Sequence, residues 1–211
     1  MKKSIVFALS TVALLAVSGC GSKKDASKSN FADAIQDYLN TTKGVCVALP
    51  RKEAPFALEK KGGFFFAHEP EKAAALVNAG LLSASETEVP SVFPNQKVAA
   101  TQFTLTDKGK KYLVKGGSGN LGGFDAFCGG KYKVKEVENF TEPADMFGTK
   151  ISQVNYTYVV DDAPDWLKQS TIQSQYPNAA AGLGEPAPYK AVLVATNEGW
   201  MHERLFKSKG G

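Results

Sequence analysis

The chain has 211 residues, of which 43% are hydrophobic and 22% charged, with a formal net charge of +4. That length supports one domain or two small lobes around a real core. The near balance of charge excludes a nucleic-acid binder, which needs a concentrated basic face.

Met1-Lys2-Lys3 opens the chain, an apolar run follows from Ile5 to Val17, and small residues lead to Cys20. A basic start, a short apolar segment and small residues before a cut point describe a secretory signal. The run is too short for a stable membrane span, which takes about 20 apolar residues. Val17-Ser18-Gly19-Cys20 resembles the lipobox of bacterial lipoproteins. That resemblance implies cleavage before Cys20, acylation of its sulfur and of the new amino terminus, and a near-permanent anchor, since two or more acyl chains hold where one does not. Residues 1–19 are then the signal peptide, and the membrane is a partner through the lipid on Cys20. Gly21, in place of an aspartate, implies by the same resemblance an outer-membrane protein facing the periplasm. The alternative is a plain secretory signal that ends near a cysteine. Loss of Lys2 and Lys3 brings the charge to about +2, still too balanced for nucleic acid.

Two cysteines remain, Cys46 and Cys128. An exported chain meets an oxidising compartment, so a disulfide between them is the expected pairing. Two buried thiols or a reactive cysteine are the alternatives. A metal centre is not expected, because only His68 and His202 are available to join the thiols and neither is near them in sequence.

Residues 20–29 read as a lipidated, flexible polar spacer. Asn30 is placed to cap a helix whose Phe31, Ala34, Ile35, Tyr38 and Leu39 share one face. Val45–Leu49 reads as a short strand stopped by Pro50, and residues 51–63 as a charged, interrupted stretch. Phe64-Phe65-Phe66 has two readings: a strand buried on both faces, or an exposed contact for a partner. A second helix starts at Pro70 and ends at Gly80. Residues 83–97 read as a loop because of Pro90, Pro94 and polar composition. A strand follows from Val98 to Leu105, then a helix capped by Thr106-Asp107.

The run Leu76-Val77-Asn78-Ala79-Gly80-Leu81-Leu82, followed by Phe103-Thr104-Leu105-Thr106-Asp107-Lys108-Gly109-Lys110-Lys111-Tyr112-Leu113, resembles the second half of a winged-helix module. The resemblance covers residues 70–115 and implies a winged-helix-like fold there. Such modules usually bind DNA, which the export signal puts out of reach, so fold and function separate. Lys108, Lys110, Lys111 and Lys115 form a basic cluster, read either as a solvated helix face or as a contact for anionic head groups or polysaccharide.

Residues 116–130 are glycine-rich and read as a linker between lobes. They lack the GxxxxGK[ST] pattern of a phosphate loop. Beyond them the pattern is mostly strand. Tyr132 and Val134 alternate with lysines, and the phase breaks at Val137 and Phe140, which suggests a bulge. Val154, Tyr156, Tyr158 and Val160 lie on one face of a strand from Ile151. A short helix follows at Trp166-Leu167, residues 169–188 read as a long surface loop, and Ala191–Ala195 pairs with Trp200–Phe206 as a hairpin. Residues 207–211 read as a frayed tail.

The expected fold class is therefore α+β: an N-terminal mixed helical, winged-helix-like lobe over 30–115, and a C-terminal four-stranded antiparallel sheet with a short helix over 131–206. Catalytic chemistry has little support. Asp161, Asp162 and Asp165 suit helix-cap duty better than a metal. Neither histidine lies in a recognisable catalytic motif, and G-x-S-x-G is absent. No cofactor is implied. Trp166 and Trp200 serve either as core or as anchors for a partner. The functional expectation is a non-enzymatic, lipid-anchored envelope protein that binds a protein partner as an accessory of an envelope assembly. One alternative handles glycan or lipid in an inter-lobe groove, which tyrosine, tryptophan and converging polar groups would mark. Another is a host-facing antigen or adhesin.

Overall fold

A computed structural model describes residues 22–60, 69–91, 93, 95–117, 123–146 and 148–208. In chain order its elements begin with α1 (Lys28–Leu39), β1 (Val45–Ala48), β2 (Phe56–Glu59), α2 (Glu69–Asn78), β3 (Leu82–Pro90) and β4 (Lys97–Leu105). Then come α3 (Asp107–Tyr112), β5 (Leu113–Val114), β6 (Ala126–Gly129), β7 (Lys131–Phe140), β8 (Ala144–Met146) and β9 (Thr149–Asp161). After two 3-10 turns flanking α4 (Ser170–Gln175), the chain closes with β10 (Ala187–Thr196), β11 (Gly199–His202) and α5 (Glu203–Ser208).

One core lies between α1 and an antiparallel sheet ordered β11-β10-β9-β7, with β8 paired to the start of β9. Helix α1 carries its apolar residues on one face, and Phe31, Ala34, Ile35 and Leu39 are buried against Val137, Val154, Tyr156, Ala191 and Leu193. The sheet curls round the helix as a half-barrel. Curvature comes partly from β7, whose register with β9 shifts between Val134 and Glu136 and again between Val137 and Asn139. Each such shift bends a strand and raises its twist. Gln36 ties helix to sheet at both ends of its amide, donating to the Tyr132 carbonyl and accepting from the Val134 N–H.

The second core joins two small sheets, β1-β6-β5 and β2-β4-β3, to α2, α3 and α4. Trp166, Leu167 and Ile172, from the C-terminal half, fill it beside Val47, Leu76, Leu81 and Phe127. Gly80, at φ +71°, closes α2 and lets the Leu81 N–H return to the Leu76 carbonyl. Cys46 and Cys128 sit opposite each other on β1 and β6 and form the disulfide.

The expected fold class is corrected in several places. Strand outweighs helix, 42% against 27%, in three sheets and a half-barrel, and the five helices among the described residues are short. No helical, winged-helix lobe stands at the N-terminus. Its strongest helix, α1, belongs instead to the C-terminal sheet, because its apolar face finds the larger concave surface there. Residues 83–97, expected as a loop, hold β3, which pairs with β4 from Leu82–Leu105 to Pro90–Lys97. Most of β3 faces water, so no apolar alternation marked it, and the ladder alone satisfies its backbone. Residues 169–188, expected as a surface loop, contain α4 and bury Ile172 and Ala179. The α1 cap is Ser27, whose hydroxyl accepts from the Asn30 N–H, rather than Asn30 itself.

Candidate functional site

Helix α1 has 12 residues and β9 has 13. At about 1.5 Å per helical residue and about 3.3 Å per strand residue, the helix runs about 18 Å while the strand runs about 43 Å. Part of the concave face beyond the C-terminal end of α1 is therefore left uncovered. A cavity of about 290 Å³ occupies that place.

Five of the chain's seven tyrosines line it: Tyr38 from α1, Tyr132 from β7, Tyr156 and Tyr158 from β9, and Tyr189 from β10. Strand geometry brings them together. Tyr156 and Tyr158 are two apart and so share a face, and Tyr189 lies directly opposite Tyr156 across the β9–β10 ladder. Three of the ring pairs stand edge to face. Centroids are 5.3 Å apart for Tyr132–Tyr158, 6.0 Å for Tyr156–Tyr189 and 6.2 Å for Tyr158–Tyr189. Such geometry opposes ring edges to ring faces, as the aromatic quadrupole favours. Tyr189 is the exposed lip at 56% accessibility, and Tyr156 the buried floor at 2%.

Burial, and next the neighbouring phenol of Tyr158, pushes the Tyr132 hydroxyl up to about 12. Tyr156 is raised further, first by burial and then by Tyr189 and Tyr158, and Tyr158 is raised by burial and then by Tyr189. These phenols are neutral at any physiological pH, each able to donate and to accept.

His202, Glu203 and Arg204 complete the rim. The His202 ring stacks on Tyr38 at 4.0 Å between centroids, and Arg204 reaches the same tyrosine, with Nη1 3.3 Å from its hydroxyl. His202 Nδ1 accepts the Arg204 backbone N–H at 3.2 Å. Burial lowers its pKa, Glu203 opposes that shift and Arg204 adds to it. A ring nitrogen held as acceptor and a lowered pKa both describe a neutral imidazole. Thr42, the hydroxyl beside the phenols, donates to the Leu39 carbonyl and so is not poised as a nucleophile.

Cys20, Phe64, Phe65, Phe66 and His68 lie outside the described residues. Trp166 is fully buried in the second core, under Tyr112, and Trp200 is half-buried against Phe31. Within the lysine cluster, Lys108 donates to the Ala79 carbonyl, Lys110 pairs with Asp107, and Lys115 pairs with the buried Asp125. Lys111 stays exposed on α3. Asp161, Asp162 and Asp165 face Lys133, Lys131 and Lys168 respectively, and do not converge. Among the described residues of this set, none lines the tyrosine cavity.

The sequence placed Tyr38 on a helix face and Tyr132, Tyr156 and Tyr158 along strands, without bringing them together. Their one distinguishing signal is chemical. Tyr132, Tyr156, Tyr158 and Tyr38 take inward-phase positions where Val or Leu would pack without a hydroxyl to satisfy. The lip at Tyr189 fell in a stretch expected to be loop.

No helix among the described residues is long and apolar enough to cross a membrane. No protein-family model matches the chain, and no curated protein or solved structure matches it.

Proposed function

We propose that this chain is a lipid-anchored envelope binding protein without catalytic activity, whose half-barrel takes a short glycan in the tyrosine cavity. The observation that carries the reading is the gathering of five tyrosines with a neutral histidine on one concave face. Sugar rings offer apolar C–H faces and equatorial hydroxyls together. A box of tyrosine rings meets the first by stacking and the second by phenols that donate and accept. The polar rim of Gln153, Lys190 and Arg204 suits a ligand that keeps part of its hydration. This favours ligand handling over a flat contact for a protein partner. The site is formed within α1 and its sheet, not in a groove between two lobes.

The test is calorimetric titration of the mature chain with N-acetylglucosamine oligomers. Binding is expected in wild type, with a loss of about tenfold or more in Tyr158→Ala, since stacked aromatic anchors carry 1–2 kcal/mol or more. Tyr158→Phe, which keeps the ring, should lose less. No heat with any oligomer, or equal binding by wild type and Tyr158→Ala, overturns the glycan reading. A single dominant protein cross-linked at position 189 in living cells would restore the assembly reading.

A further inference from the structure

The stretch after Cys20 looks like a slack spacer by composition, yet from Ser22 onward it is bound to the domain. Asn30 Nδ2 donates to the Ser22 and Asp25 carbonyls at 2.8 and 2.9 Å. Trp200 Nε1 donates to the Lys24 and Asp25 carbonyls at 3.1 and 3.2 Å. Gly199, at φ +131°, comes so close that a Cβ there would lie 2.9 Å from the Lys23 carbonyl oxygen. The strap is thus fastened to the start of α1 and to the β10–β11 turn. Only Gly21 separates Ser22 from Cys20. Two residue steps span at most about 7 Å, comparable with the thickness of one head-group layer.

We infer that the end of the half-barrel bearing the β10–β11 turn rests on the bilayer that holds the anchor, with the tyrosine cavity standing off on the water side. This rests on the reading of Cys20 as lipidated. The same end carries Met146, 52% exposed, at the close of β8, and Lys150, which shares a recess with Thr196 and Asn197, while the strap brings Lys23 and Lys24 to Gly199 and Trp200. Asp25, Asp145 and Glu198 lie there too, so the short tether sets the orientation rather than charge attraction. Tyr189 lies seven residues back along β10 from Thr196, about 23 Å at the usual strand rise. A ligand then enters from the aqueous side, and a molecule still seated in the anchoring leaflet does not reach the cavity.

Depth quenching tests this with the full acylated chain in phosphatidylethanolamine–phosphatidylglycerol vesicles carrying a head-group nitroxide. A fluorophore is placed on Asn197→Cys, at the tethered end, or on Glu185→Cys, before β10 at the other. Several-fold stronger quenching is expected at position 197. A flexible twenty-residue Gly-Ser insertion between Gly21 and Ser22 should bring the two labels close to parity. Equal or reversed quenching in the uninserted chain overturns the orientation, and a contrast that survives the insertion overturns the tether as its cause. The intact mass of the membrane-extracted chain separates the two premises: without acyl chains the lipidation reading fails, and the proposal with it.

Discussion

His202 shows how one backbone hydrogen bond constrains a side chain's chemistry. With Nδ1 accepting the Arg204 N–H and the ring stacked on Tyr38, the folded state resists a second proton. Its folded pKa lies below the ordinary 6.5. Above pH 6.5 the imidazole is neutral in both folded and unfolded chains and has no effect on pH dependence. As pH falls through that value the unfolded chain takes up a proton that the folded one refuses, so stability is lost until the folded group itself protonates. Urea midpoints at pH 7.5 and 5.5 should therefore fall more in wild type than in His202→Gln, whose amide keeps an acceptor for the Arg204 N–H. Equal falls would mean that the folded His202 takes up its proton as readily as the unfolded one. The sequence showed His202 only as a hairpin histidine outside any catalytic motif. Its burial was illegible because it depends on α1, more than 160 residues upstream.

At the scale of elements, the β1–β6 pair is a short ladder on which the second core depends. Each strand has four residues, and their pairing closes a stretch of chain whose ends are 82 residues apart. The disulfide holds this pair in the unfolded chain as well, which on the chain-entropy account stabilises the fold by about 4 kcal/mol. Replacing both Cys46 and Cys128 by alanine should lower the urea unfolding free energy by about 2–4 kcal/mol. An unchanged midpoint would show that the β1–β6 ladder and Phe127 suffice. The pairing was legible from cysteine count alone once export was inferred. The strands β2 and β3 were not. Strand β2 has only four residues, β3 is mostly exposed and largely polar, and their partner β4 lies across stretches that prolines and charges made look irregular.

For the molecule as a whole, the two cores are threaded through each other. The first takes α1 from before residue 40 and its sheet from after residue 130, while the second takes β1 to β6 and then borrows Trp166, Leu167, Ile172 and Ala179. Tyr132 and Tyr158 pack against both. Cutting the chain in its glycine-rich stretch and reducing the disulfide should therefore leave two fragments, 22–117 and 118–208, that do not fold alone. The first lacks the side chains that fill its core, and the second lacks the helix that covers its sheet. Circular dichroism through a urea series should show no cooperative transition for either. A cooperative transition from one fragment would mean that its core is self-sufficient.

Properties carried by short stretches were settled by the sequence itself: the pairing of Cys46 with Cys128, the amphipathic face of α1, the alternation along β9 and the phase break in β7. Each depends on spacing of 2, 3.6 or a few residues, which the chain displays directly. What only the tertiary structure decided was which faces meet. The partner of α1, the burial of residues 169–188 and the cavity of five tyrosines arise from contacts between segments far apart in the chain. A helix about 18 Å long laid on a strand about 43 Å long leaves an opening. That mismatch belongs to no residue, and it appears only once the two are packed together.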